Sequence, residues 1–201
     1  MPEVALGYSW DDWESALKFS NTLLLGIGNT LLCDEGAGIH ALNQFQLKHP
    51  DLANLTYIDG GTLSFTLAAY IEDCNNLVVL DAADLNAPPG TVKTMAGPQM
   101  DAFLGAARRS PHEVGLLDLF DIARLTDSLP LNRALIGIQP GHIGWGMFPT
   151  AAVQEALAVA VNEAVKLLVL WKQISAPVTT GRPDSPAYAL TDDFYRAGDS
   201  L

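Results

Sequence analysis

Short apolar runs alternate with segments of helical periodicity along this chain, and this alternation restricts its fold more than any other feature. The run TLLLGIG at 22–28 is continuous and ends on glycine, which is typical of a strand buried on both faces. The next segment places Ile39, Leu42 and Phe45 at roughly helical spacing and ends before a proline. The same pattern predicts strands at 22–28, 55–61, 76–84, 90–95 and 133–140 and helices at 36–49, 64–73, 110–125 and 150–173.

The order of these elements predicts an α/β fold, with one five-stranded, mostly parallel twisted sheet and helices on both faces. No internal repeat or linker interrupts the pattern, so we expect a single domain at 21–174. Residues 1–20 are expected to form an N-terminal extension. Residues 175–201 are rich in Pro, Gly, Thr and Asp, and are expected to form a flexible tail.

Charge and composition exclude several kinds of partner. The 201 residues are 49% hydrophobic, enough for one domain with a full core, and carry a net charge of −12. Nucleic acids and anionic membranes are polyanions, so we expect neither to be a partner. The apolar segment 155–172 contains Asn162, Glu163 and Lys166 and is too polar to span a membrane, and residues 1–20 lack the pattern of a signal peptide. We therefore expect a cytoplasmic protein.

The residues that follow the predicted strands are candidates for a functional site, because open α/β sheets bind ligands beyond the carboxyl ends of their strands. Asn29, Asp34 and Glu35 follow the first strand, and the DGGT turn at 59–62 follows the second. This edge of the sheet is expected to be acidic and to carry histidines. Its other candidate residues are Asp81, Asp84, His112, Gln139, His142 and Trp145.

Glu35, Asp81 and His112 form a set of two oxygen ligands and one nitrogen ligand on three separate loops. Zn²⁺ and Ni²⁺ accept such ligands and keep positions open for water or a substrate group. Each residue also has a simpler interpretation: Glu35 as a solvated acid or a helix N-terminal charge, Asp81 as a cap, and His112 as a surface or capping residue. Their shared edge favours a metal site.

The glycine-rich stretch GIGNTLLCDEGAG at 26–38 raises the alternative of a nucleotide site. A dinucleotide-binding turn needs a third glycine three residues after the second, where this chain has Leu31. Asp34 and Glu35 would repel a phosphate at that position, and no Lys of a P-loop follows. Nucleotide binding is therefore disfavoured, and the glycines are interpreted as a tight turn between a strand and a loop.

Five separated segments resemble, in order, the motifs of the nickel–iron hydrogenase maturation endopeptidases. They are LLGIGNTLLCDEGAGIHAL, DGGT, VVLDAAD, SPHEVGLLDLF and LIGIQP, within a resemblance that runs from about residue 22 to 172. The resemblance implies a five-stranded α/β sandwich and an endopeptidase, of a family that some schemes group with the aspartic peptidases. It further implies removal of a C-terminal extension from the precursor of a hydrogenase large subunit after nickel has been inserted.

The resemblance also implies roles for individual residues. It assigns contact with the metal, and with it the catalytic role, to Glu35, Asp81 and His112, while Asp34 matches an acid whose role it leaves open. The metal is expected to be nickel held by the precursor, with Zn²⁺ or Cd²⁺ as possible surrogates. The precursor is expected to contact the residues of the second turn, which are Asp59, Gly60, Gly61 and Thr62.

The segment PGHIGWGMFPT at 140–150 departs from the family pattern. Many members carry an acid after this proline, whereas this chain has His142 and Trp145. The two residues are interpreted as contacts for the precursor's C-terminal peptide, with packing of Trp145 on its own helix as the alternative. The N-terminal extension carries Trp10 and Trp13 at helical spacing, and is expected to cover an apolar patch or to join a second subunit.

Two functions of different classes fit the same metal-contacting residues. The first is an endopeptidase that cleaves the nickel-loaded precursor. The second is a chaperone that docks on the precursor and binds metal without cutting a peptide bond.

Overall fold

The structure of the chain, a computed structural model, describes residues 21–50, 52–62, 65–106 and 111–173; the side chains of residues 111–114 lie outside this description. The expected N-terminal extension and C-terminal tail also lie outside the described residues. The strands are β1 (Thr22–Gly26), β2 (Leu55–Asp59), β3 (Asn76–Ala82), β4 (Val92–Ala96) and β5 (Asn132–Ile138). The helices are α1 (Ala37–Lys48), α2 (Ala68–Glu72), α3 (Pro98–Gly105), α4 (Pro111–Leu125) and α5 (Ala151–Leu170), and 3₁₀ turns span Asp34–Gly36 and Phe65–Leu67.

The strands form one five-stranded sheet in the order β2-β1-β3-β5-β4. The first four of these strands are parallel neighbours, and β4 runs antiparallel to β5 at the edge. Helices α1 and α5 pack on one face around Phe45 and Leu157, and α2, α3 and α4 pack on the other around Met100 and Phe120. The predicted α/β fold with a mostly parallel sheet and helices on both faces is confirmed.

Two observed elements differ from the prediction. Helix α3 was not predicted, because its eight residues turn only Met100 and Leu104 into the core and so show little periodicity. The helix expected at 64–73 is instead a 3₁₀ turn followed by the five-residue α2. No described helix has the length and apolar character needed to cross a membrane.

Helix α1 lies directly on the sheet because small residues face each other at the contact. A Cβ at Gly38 would overlap the carbonyl oxygens of Ile27 and Leu80, and one at Gly26 would lie 2.8 Å from Cβ of Leu42. The close approach sets the start of α1, and the 3₁₀ turn before it, at the carboxyl end of β1. This turn carries Asp34 and Glu35.

Candidate functional site

The turns after β1 and β2 are hydrogen-bonded to each other at the carboxyl edge of the sheet. The Gly28 N–H donates to the Gly61 carbonyl at 2.8 Å, and the Gly60 N–H donates to the Gly26 carbonyl at 2.9 Å. The exposed Asp59 carboxylate accepts the Gly61 N–H at 2.9 Å, which shapes the second turn from within. The structure therefore places Asp59, Gly60, Gly61 and Thr62 beside the glycine-rich stretch.

The glycine-rich stretch folds back on itself. Gly28 has a φ of 140°, and a Cβ there would overlap the carbonyl oxygen of Glu35. The space where a nucleotide-binding turn would receive phosphate is thus filled by the chain's own backbone. The interpretation of these glycines as a tight turn agrees with this packing.

Asp34 is fully buried and accepts four hydrogen bonds from one distant loop. Its carboxylate accepts the backbone N–H groups of Gly141 at 2.8 Å, His142 at 2.9 Å and Thr150 at 2.6 Å, and the Thr150 hydroxyl at 2.9 Å. Burial raises the pKa of Asp34, but these hydrogen bonds outweigh it and hold the pKa below its ordinary value of 3.8. Asp34 is therefore a charged anchor for the loop, a role that the sequence left open.

Thr150 completes this anchor and was missed by the sequence reasoning. It is the N-cap of α5, and its side chain turns to Asp34 rather than to its own helix. The signal in the sequence was the Pro149–Thr150 pair before a long helix, which marks an N-cap position. The partner of that cap lies 116 residues earlier, so no local pattern reveals it.

Glu35 and Asp81 lie on elements that contact each other. Glu35 is in the middle of the 3₁₀ turn, and Asp81 is on β3, which packs against that turn. Asp81 is 2% exposed and Glu35 is half-buried. One oxygen of each carboxylate, Oε2 of Glu35 and Oδ1 of Asp81, is shielded from solvent. Two shielded carboxylate oxygens at one sheet edge suit a divalent cation or the activation of a water molecule.

His112 lies in the first turn of α4. This helix leads into β5, which is parallel to β3, so α4 runs against the strands and begins toward their carboxyl ends. The His112 side chain is outside the described part of the chain. Among the described side chains, no three His, Cys, Asp or Glu residues are grouped to hold a metal. The convergence of Glu35, Asp81 and His112 on one ion stays a prediction.

His142 and Trp145 lie on the loop that Asp34 anchors. The His142 ring lies over Gly144, where a Cβ would be 2.7 Å from Nε2. Trp145 is 85% exposed, so the alternative that it packs on its own helix is wrong. The loop pairs with the turn before Glu35, because Cys33 N–H donates to the Gly146 carbonyl at 2.8 Å. Both residues are thus available to a partner that approaches this edge.

Comparisons with known proteins agree with this architecture. The family model for the HycI hydrogenase maturation proteases matches residues 39–167, more than half of the chain. The hydrogenase expression/formation protein HupD of Rhodobacter capsulatus is 37% identical over 186 residues, which are 91% of this chain and 88% of that protein. The hydrogenase 2 maturation protease of Escherichia coli is 32% identical over 143 residues, covering 67% of this chain and 85% of that protein.

Solved structures show the same fold. The hydrogenase maturating endopeptidase HybD from Escherichia coli has a TM-score of 0.71 at 25% identity, covering 75% of this chain and 93% of that one. The [NiFe] hydrogenase maturation protease HybD from Thermococcus kodakarensis has a TM-score of 0.63 at 30% identity, covering 73% and 98%. The chain therefore belongs to the hydrogenase maturation protease family and is a peptidase.

Proposed function

We propose that this peptidase removes a C-terminal extension from the nickel-loaded large-subunit precursor of a nickel–iron hydrogenase. The observation that carries the proposal is the placement of Glu35 and Asp81 on contacting elements, each with one shielded oxygen, at the carboxyl edge of the sheet. Family membership supplies the reaction class. The alternative of a non-catalytic chaperone is wrong, because members of the family are proteases.

Nickel enters this proposal as part of the substrate. Glu35, Asp81 and His112 contact the nickel that the precursor already holds, so that only a loaded precursor completes the site. A divalent cation near the scissile bond can orient it, polarise its carbonyl or activate water. The carboxylates of this chain then hold the ion in place and accept the proton of the attacking water. Zn²⁺ or Cd²⁺ would bind to the same ligands in place of nickel.

The test is cleavage of purified precursor, with and without nickel, followed by the loss of mass at its C-terminus. Glu35→Gln and Asp81→Asn keep the side-chain shape and remove the charge. Each is expected to slow cleavage by about tenfold or more, since a hydrogen-bonding contact with a charged group contributes about 1.5–3 kcal/mol. Circular dichroism is expected to show an unchanged fold.

Two variants serve as controls. Asp127→Asn removes an exposed carboxylate between α4 and β5, at the opposite end of the sheet, and keeps a residue type that tolerates its φ of 55°. Cys33→Ser changes a thiol beside the site that has no catalytic part in the proposal. Both are expected to cleave at nearly the wild-type rate. Full activity of the Glu35 and Asp81 variants would refute the site, and equal cleavage of nickel-free precursor would refute nickel sensing.

A further inference from the structure

Exposed apolar side chains are concentrated at one place on the described surface. Twelve large apolar residues are exposed among the described residues, and five of them lie on the anchored loop and the turn that it contacts. Trp145 is 85% exposed and Phe148 is 80% exposed. Monomeric proteins rarely expose several large apolar side chains within one small region without a partner. The five residues, called here the apolar loop surface, are Leu31, Ile143, Trp145, Met147 and Phe148.

The backbone beneath this surface is held firmly. The Gly146 N–H donates to the Leu31 carbonyl at 3.0 Å, and the Asp34 N–H donates to the His142 carbonyl at 3.2 Å. The buried Asp34 carboxylate adds its four hydrogen bonds to the two ends of the loop. A surface held in this way loses little conformational entropy when a partner binds, which raises affinity.

The apolar loop surface is continuous with the candidate catalytic edge. Leu31 lies in the turn that leads to Glu35. Ile143 forms a β-bridge with Cys33, which precedes Glu35 by two residues. A polypeptide whose reacting bond lies at Glu35 therefore has the loop that carries Trp145 and Phe148 next to it. Binding energy gained there, away from the reacting bond, holds the substrate equally in the ground state and in the transition state, so that it lowers KM and leaves kcat nearly unchanged.

We propose that the apolar loop surface binds an apolar segment of the precursor polypeptide next to the bond that is cleaved, with Trp145 and Phe148 as its main contacts. The inference rests on the proposed function and identifies the chemistry of the substrate segment. Large aromatic side chains are the residues that most often dominate the energy of a protein interface. The surface favours a segment with bulky apolar side chains and without net negative charge.

Charge argues against the other occupants of such a surface. A second copy would bring a net charge of −12 against an equal charge, which opposes association. An anionic membrane attracts clusters of Lys and Arg, and residues 139–150 contain neither. A polypeptide substrate is the partner that a peptidase must bind in any case.

The test compares two double variants of the full chain. Trp145→Ala with Phe148→Ala removes the two aromatic rings. Leu125→Ala with Leu131→Ala is the matched control, because these leucines are 88% and 84% exposed at the other end of the sheet, one as the last residue of α4 and the other just before β5. With nickel-loaded precursor, the aromatic variant is expected to raise KM by about tenfold or more and to change kcat by less than about twofold. The control is expected to match the wild type.

Binding of nickel-free precursor is measured in parallel, because the proposed function leaves that precursor uncut. The aromatic variant is expected to bind it about tenfold more weakly than the wild type or the leucine control. A wild type that does not cleave loaded precursor, but binds it through these rings, would refute the proposed function and support this inference. A wild type that cleaves, with KM and affinity unchanged in the aromatic variant, would overturn this inference alone.

The other occupants are separate outcomes of the same comparison. Sedimentation of the wild type as a dimer that the aromatic variant dissociates would assign the surface to a second copy and overturn the inference. If the wild type co-sediments with phosphatidylserine vesicles and only the aromatic variant does not, the surface is assigned to a membrane. That result would also overturn the inference. Monomeric wild type without vesicle binding supports the inference.

Discussion

Asp34 is a buried carboxylate surrounded by four donors, and it joins two parts of the chain that are more than a hundred residues apart. Its neighbour Glu35 has the same charge but is half-buried. Two adjacent acids thus have different surroundings. The first sets the position of the loop, and the second is the one to which the proposed function assigns contact with the substrate.

Asp34→Asn tests the anchor. The Asn side chain has only one oxygen that accepts hydrogen bonds. Its NH₂ group, itself a donor, would face the N–H and O–H donors of the loop. We expect the free energy of unfolding at pH 7 to fall by about 3 kcal/mol or more, because a hydrogen bond to a charged group contributes about 1.5–3 kcal/mol. Urea unfolding followed by circular dichroism measures it. Asp59→Asn is the control, since its exposed side chain can still accept the Gly61 N–H, and a change within about 0.5 kcal/mol is expected.

The difference in stability between the wild type and Asp34→Asn is expected to depend on pH. The pKa of Asp34 is lower in the folded chain than in the unfolded chain, so its charge stabilises the fold above the unfolded pKa. That stabilisation is lost as pH falls through the folded pKa. The difference between wild type and Asp34→Asn is expected to be full near pH 6 and to shrink below about pH 4. A difference that stays constant down to about pH 3 would show that the charge has no part in the anchor.

At the scale of elements, the contact between α1 and the sheet positions the site. Gly38 leaves no room for a side chain against the carbonyl oxygens of Ile27 and Leu80, and neither strand can retreat inside a packed sheet. On the other side of the sheet, the Arg133 guanidinium donates to both oxygens of Asp101 and joins β5 to α3. The sheet is therefore fixed from both faces, and the 3₁₀ turn before α1 has one position at its edge.

Gly38→Ala tests this contact. We expect the free energy of unfolding to fall by about 3 kcal/mol, since overpacking against backbone forces the helix away from the sheet. Gly105→Ala is the matched control, because it closes α3 and a Cβ there would meet nothing within 4 Å. It is expected to leave stability unchanged or to raise it by about 0.5 kcal/mol. Chemical unfolding of both proteins measures the difference, and equal stability of the two would contradict the close contact.

At the scale of the whole molecule, the proposed function needs a second molecule to complete the site. Two carboxylates and one imidazole leave the coordination shell of a divalent ion incomplete, and the proposed function lets the precursor supply the remaining ligands. The apolar loop surface beside this edge extends the contact area for the same partner.

The isolated chain is therefore expected to bind Ni²⁺, Zn²⁺ or Cd²⁺ weakly, with dissociation constants of about micromolar or above. Binding should weaken further as pH falls, because a protonated histidine does not ligate a metal. Calorimetry measures the affinity of the wild type and of His112→Ala for Cd²⁺. His49→Gln is the control, because His49 follows α1 at the opposite end of the sheet. Tight binding that survives His112→Ala would contradict the ligand set.

The sequence by itself determined the strands, most helices and the edge of the sheet at which the candidate residues Glu35 and Asp81 lie. The run from Leu23 to Gly26 in β1 contains no polar side chain because the strand is buried on both faces, and this information is local. The family motifs likewise carry the reaction class. Helix α3 could not be predicted from the sequence, because eight residues with only two buried side chains are too few to show a helical hydrophobic periodicity.

Only the tertiary structure decided the surroundings of Asp34 and Trp145. The donors to Asp34 come from residues 107 to 116 positions later, and nothing around an Asp-Glu pair tells which acid turns inward. The sequence left two interpretations of Trp145, contact with the precursor or packing on its own helix, and pairing of its loop with the turn before Glu35 leaves the ring exposed. Local sequence sets backbone preference and hydrophobic period. The surroundings of one side chain depend on contacts between distant segments, which exist only after the chain has folded.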